Sequence, residues 1–425
     1  TPPWSWNGFA GAILQWIANS RTTCSPTSPL RIHKPRGLAR SWLPLLLLSQ
    51  TVAVAQAATL TGFAVLPADT FTPGPSSGQF IQPVNGRQPP FHEQQPIQGF
   101  SALIKGDNDT FLVLSDNGFG RRDNSADYLL SIYGISVDFR TAAGGAGTIE
   151  IESVMHLGDP DSHMDYAITR VNDRQLTGAD LDPESFRRAA DGSFWIGEEF
   201  NPSLVQFSRQ GELLAPPFRL KGLSAVDNPV DDQPTLPRSR GFEGMAQSID
   251  GRRLYPMLEG EMLGPEPGLN IYTFDIAERR FLNSHAGDPS YRYRLDPGAT
   301  AIGDFTLYSA SAGLVIERDS AEGDKARIKR IYQVDFEKLD ENGFLAKTML
   351  ADLLDIDDPD DLDRDGRRVF SFPFWTIEGL VVLDSTTLGI VNDNNYPLGQ
   401  ARDTTGTRPD NTEFILLRVD PLWAE

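Results

Sequence analysis

Apolar residues in this chain gather in short runs rather than at helical spacing. Phe111–Leu114 (FLVL), Tyr128–Val137 (YLLSIYGISV), Ile149–Met155, Phe194–Ile196, Ile271–Phe274, Leu314–Ile316, Arg330–Val334, Leu380–Leu383 and Phe414–Val419 are such runs. Gly, Pro, Asn and Asp separate them, and no long stretch keeps a 3.6-residue period. Short β-rich segments punctuated by turn residues predict an all-β sandwich, barrel or propeller.

An internal repeat chooses among these. Five units each place a polar or acidic residue before an apolar strand that ends in further acids. The leading positions are Ser101, Glu184, Glu243, Asp304 and Glu378. The trailing positions are Asp116, Glu198 or Glu199, Glu259, Glu317 and Asp393, lying 13 to 16 residues downstream. A single β-propeller is therefore expected, with six blades favoured. The sixth would come from poorly matching stretches around 149–157 and 211–236. Thr59–Leu66 (TLTGFAVL) and Phe414–Val419 lie at opposite ends of the repeat region, so N- and C-terminal strands are expected to close one blade, which removes an exposed edge.

Charge narrows the function. The chain carries 38 Lys+Arg against 58 Asp+Glu, a formal charge of -20. A surface this acidic repels nucleic acid and anionic lipid, so neither is expected as a partner. Before Asp69 there is no acidic residue. Arg31, Lys34, Arg36 and Arg40 precede the apolar segment Trp42–Leu48 and the small-residue pattern Ala55-Gln56-Ala57. That order predicts a secretory signal within 1–57, behind an upstream extension, with the propeller domain at 58–425. Periplasmic or extracellular export follows, with no membrane span after cleavage and a monomer expected. The one cysteine, Cys24, lies in the segment to be removed, so stability must come from the core or from bound metal.

In a propeller, equivalent repeat positions converge on the axis. Asp116, Glu184, Glu198, Glu199, Glu243, Glu259, Asp304, Glu317, Glu378 and Asp393 thus form a candidate metal-binding set. So many carboxylates cannot all ionise unpaired, and an all-oxygen ligand set favours Ca2+ over Mg2+. Arg121, Arg240 and Arg318 lie close in sequence to these acids and offer bidentate donors for a phosphate. His163, in a polar loop, is the general-acid candidate by elimination, because the chain has no HExxH, GxSxG or Walker A pattern. Asp361–Gly366 (DLDRDG) matches the opening of a calcium loop, but its twelfth position is Phe372. Trp195 and Trp375 are read as blade core.

The strings SDNGFG (115–120), DLDPES (180–185), SFWIGEEFNPSL (193–204), RGFEGMA (240–246), AIGDF (301–305), LVIERD (314–319), IEGL (377–380) and IVNDNNYP (390–397) together resemble the bacterial family called esterase-like activity of phytase, or phytase-like domain. The resemblance runs from about residue 60 to 420. It implies an exported propeller, distantly similar to the six-bladed, calcium-dependent β-propeller phytases. The expected function is a calcium-dependent phosphoric-ester hydrolase that uses a metal-activated water in an acidic funnel, with a small, phosphorylated ester as substrate. A calcium-dependent lactonase or carboxylic esterase of gluconolactonase type, and a non-catalytic ligand-binding propeller, are the alternatives.

Overall fold

A computed structural model describes residues 58–228 and 233–423. The expected signal segment at 1–57 lies outside the described residues. Five antiparallel units follow one another along the chain. Their first strands are Phe100–Lys105, Pro183–Arg188, Phe242–Gln247, Ala301–Leu307 and Thr376–Val382. Each packs beside the next, and the last packs beside the first, so the five close a ring. These strands are almost wholly buried, their polar members Ser101, Glu184, Glu243, Asp304 and Glu378 included. The only helical element among the described residues is the single turn Gly323–Lys325.

The stretches offered as a sixth unit belong to the five. Thr148–His156 pairs with Ser131–Asp138 as the fourth strand of the first unit. Phe218–Arg219 is the fourth strand of the second unit, paired with Ser203–Phe207. Among the described residues no sixth inner strand joins the ring. The expected union of the chain's two ends is present: Thr59–Leu66 pairs antiparallel with Thr412–Arg418, as the outer strand of the fifth unit. One parallel bridge, Val65–Thr148, then links that unit to the first.

Five apolar clusters hold the ring, each lying between successive units. Trp195, Phe242 and Phe274 seal the second to the third. Phe305, Val334 and Met257 seal the third to the fourth. Phe100, Phe111, Val391 and Phe414 seal the fifth to the first. Contact between inner strands is tight. A Cβ on Gly303 would stand 1.9 Å from the Ile377 carbonyl oxygen, and one on Gly241 2.6 Å from the Glu199 Cα, so only glycine allows these backbones to meet.

Candidate functional site

The same irregularity recurs in all five inner strands. The register slips between Phe100 and Ala102, Pro183 and Ser185, Phe242 and Gly244, Ile302 and Asp304, and Ile377 and Gly379. Each slip is a β-bulge, which leaves one residue unpaired and re-aims its side chain. The bulged residues are Ser101, Glu184, Glu243, Gly303 and Glu378. The residue before each bulge pairs with Ser115, Glu198, Leu258, Glu317 and Asn392 respectively. One step further along the second strands stand Asp116, Glu199, Glu259, Arg318 and Asp393. Equivalence is thus set by the bulge, and in the fourth unit it selects Gly303 and Arg318.

Eight of these ten positions, all but Ser101 and Gly303, line one cavity of about 500 Å³. Asp116, Glu184, Glu199, Glu243, Glu259, Glu378 and Asp393 all line it. Asp182 joins them; sequence reasoning passed over it, although it stands in the quoted string DLDPES. Arg121, Arg238, Arg240 and Arg318 complete the charged lining, and Phe119, Trp375 and Leu398 supply apolar wall. Trp195 is fully buried, as expected of core, whereas Trp375 is 42% exposed and belongs to the cavity.

Three of the expected acids stand elsewhere. Glu198 accepts hydrogen bonds from the backbone amides of Phe200 (2.9 Å) and Asn201 (2.7 Å), so Glu199 is the member of that pair that reaches the cavity. Glu317 accepts from the Tyr293 hydroxyl, the Asp296 amide and the Lys347 ammonium, each at 2.6 Å. Asp304 accepts from the Leu380 amide at 2.9 Å and faces Arg187 at 3.5 Å. Glu198 and Glu317 each sit one residue before a position that lines the cavity, and a one-residue shift in a strand turns a side chain to the other face; Asp304 follows the bulged Gly303. His163 is also apart. Its backbone amide donates to Asp159 at 2.6 Å, and it does not line the cavity.

Burial sets the electrostatics. It pushes Asp116 up to about 6, Asp182 to about 7 and Glu378 to about 8. Glu184, Glu199, Glu243 and Asp393 are raised well above the carboxylate range by burial and then by neighbouring carboxylates. Arg318 partly offsets this. Its Nη2 donates to Glu259 at 2.7 Å and to Glu243 and Glu378 at 3.3 Å. Arg240 holds the other oxygen of Glu259.

Asp182, Glu184 and Glu199 have no Lys or Arg ion pair among the described residues. Oxygens of Asp182, Glu184 and Glu199 lie within 4.8 Å of one another, and so do those of Glu199, Glu243 and Glu259. Glu199 is 3% exposed, and its Oε1 has no hydrogen-bond partner among the described residues. A buried carboxylate oxygen left bare is costly, and a hard divalent cation is the partner such a donor set fits. A third group, Asp358, Asp361 and Asp363, covers the calcium-loop match, but there the Leu362 amide donates to Asp358 and the Gly366 amide to Asp361.

Residues 95–396 match the family described as Phytase-like, esterase-like activity of phytase. The chain belongs to that family. A 102-residue stretch is 32% identical to an "uncharacterized secreted protein" of Arthroderma benhamiae, covering 19% of this chain and 20% of that one. The phytase-like chain thus spans about a fifth of the length of the curated relative it matches. Among solved structures, an exo-beta-1,3-galactanase from Clostridium thermocellum aligns at TM-score 0.42 and 9% identity, covering 82% of this chain and 65% of that one. An arabinanase from Bacillus subtilis aligns at 0.39 and 9%, covering 76% and 95%. A gluconolactonase-family protein aligns at 0.30 and 12%, covering 77% and 92%. Among the described residues, no helix is long and apolar enough to cross a membrane.

Proposed function

We propose that this phytase-like protein is an exported, calcium-dependent phosphoric-ester hydrolase built on a single five-bladed propeller. Family membership supports ester hydrolysis. The observation that carries the metal reading is the bare Oε1 of Glu199, buried in an acid-lined cavity beside Asp182 and Glu184. Those three residues would hold the ion. A bound Ca2+ supplies Lewis acidity and lowers the pKa of water at the site.

The chain's own residues do the rest. Arg121 lines the cavity with no hydrogen-bond or ion-pair partner for its guanidinium among the described residues, so it is available to grip an anionic ester. Arg318 and Arg240 hold Glu243, Glu259 and Glu378 and lessen the repulsion of a negative substrate. Trp375 gives a flat apolar face beside the charged floor, which suits the organic part of an ester. Four arginines on the lining favour a phosphorylated ester over a neutral lactone.

The test is parallel turnover of an aryl phosphate, an aryl acetate and a lactone by purified protein, before and after chelation. Phosphate release that stops on chelation and returns with calcium is expected. Turnover of the phosphate that survives chelation, or cleavage of the lactone alone, contradicts the proposal.

A further inference from the structure

Four of the five units carry a carboxylate at the end of the second strand: Asp116, Glu199, Glu259 and Asp393. The fourth carries Arg318. The same unit has Gly303 where others bulge out a glutamate or serine. The departure is therefore double and confined to one unit. It removes two potential anionic positions and inserts one cation.

The inserted cation is placed as a metal ion would be. A single nitrogen, Nη2, lies within hydrogen-bond distance of Glu243, Glu259 and Glu378, which come from two different units. Arg318 is 5% exposed, and its acidic neighbours hold its pKa above the usual arginine value. By contrast, Asp182, Glu184 and Glu199 have no Lys or Arg ion pair among the described residues. Glu199 belongs to both acid triads, so the two halves share one ligand.

We propose that Arg318 is a built-in replacement for a second divalent cation, dividing a potential two-ion centre into one guanidinium-filled half and one half open to calcium. This rests on the metal reading given above. Coulombic demand supports it: the guanidinium meets part of the charge of Glu243, Glu259 and Glu378 permanently, with no dependence on calcium supply. The chemistry also fits, because a fixed guanidinium and a divalent ion both stabilise charge on a phosphoryl group. Removing the guanidinium while leaving the acids should open the second half to calcium, with Glu199 bridging both ions.

The experiment counts calcium bound to chelated and refolded protein by calorimetry and by elemental analysis after dialysis. Arg318→Gln is expected to take up one more ion per chain than the parent, and Arg318→Lys the same number as the parent. Adding Glu243→Gln to Arg318→Gln should abolish the extra ion. An Arg318→Gln count equal to that of the parent overturns the proposal, as does an extra ion that persists in the double variant. Glu259→Gln in the parent provides a route that does not depend on the folding of Arg318→Gln. Its ion count should be unchanged and its affinity within about threefold of the parent's, less than 1 kcal/mol; loss of an ion overturns the proposal. Ion counts need no turnover. A protein with the predicted counts and no phosphatase activity keeps this inference and loses the hydrolase, and a phosphatase with an unchanged Arg318→Gln count does the reverse.

Discussion

Asp304 gives the clearest way to separate a structural acid from a ligand. Its Oδ2 accepts from the Leu380 amide at 2.9 Å, its Oδ1 from the Phe305 amide at 2.6 Å, and Arg187 faces it at 3.5 Å. It therefore ties the inner strands of the second, fourth and fifth units together, outside the cavity. Burial outweighs the attraction of Arg187 and pushes Asp304 up to about 6, so it is ionised at neutral pH. Asp304→Ala deprives the buried Arg187 of its carboxylate and the Leu380 amide of its acceptor. Breaking a buried pair costs about 3–5 kcal/mol. Arg187 keeps the Phe305 and Phe186 carbonyls at 2.9 and 2.7 Å, which places the pair's share at the low end. The orphaned Leu380 amide adds roughly 1–3 kcal/mol, so the total is about 4–6 kcal/mol. Spread over roughly 360 described residues at ~2.1 cal/mol/K each, this lowers Tm by about 5–8 °C. Calorimetric melting in saturating calcium reads the shift, and calcium titration well below Tm should match the parent. A variant that melts with the parent yet fails to bind calcium would refute the structural role.

Two further perturbations probe the frame around the site. Gly303→Ala drives a methyl against the Ile377 carbonyl at 1.9 Å, a backbone atom that cannot rotate away, and should cost about 1–3 kcal/mol or more in denaturant unfolding; an unchanged midpoint would contradict the closeness of the fourth and fifth inner strands. His156, bonded through Nδ1 to the Ser131 hydroxyl at 2.9 Å, has its pKa lowered from 6.5 by burial. The unfolded chain then binds the proton more readily, so its contribution is complete above 6.5 and is lost as pH falls through the lowered folded value. The stability difference between parent and His156→Gln should therefore shrink or reverse on going from pH 8 to pH 5, and a pH-independent difference would count against it.

The repeat was visible in the chain because each unit keeps a polar or acidic residue 13 to 16 positions ahead of the polar or acidic end of an apolar second strand. Its phase was less visible. Glu198 and Glu199 are chemically alike in sequence, and only the bulge after Pro183 decides which faces the cavity. In the fourth unit, aligning acids with acids selects Asp304 and Glu317, whereas the backbone register selects Gly303 and Arg318. Asp182 was hidden for a related reason: it precedes the strand rather than lying within it, and its approach depends on Asn117 from another unit, whose side chain donates to it at 2.7 Å. A sixth unit was expected from the poorly matching stretches around 149–157 and 211–236, but Thr148–His156 pairs with Ser131–Asp138 and Phe218–Arg219 with Ser203–Phe207, so these strands complete the first and second units. His163 was chosen by elimination, which carries no spatial information.

Calcium titration of chelated parent protein beside Glu199→Gln tests the central claim most directly. Glu199 has an oxygen with no other partner to lose, so the substitution removes a ligand while breaking no hydrogen bond at Oε1. The parent should bind calcium in the cavity, and Glu199→Gln should lose that binding while remaining folded. Superimposable isotherms for the two proteins would contradict the account.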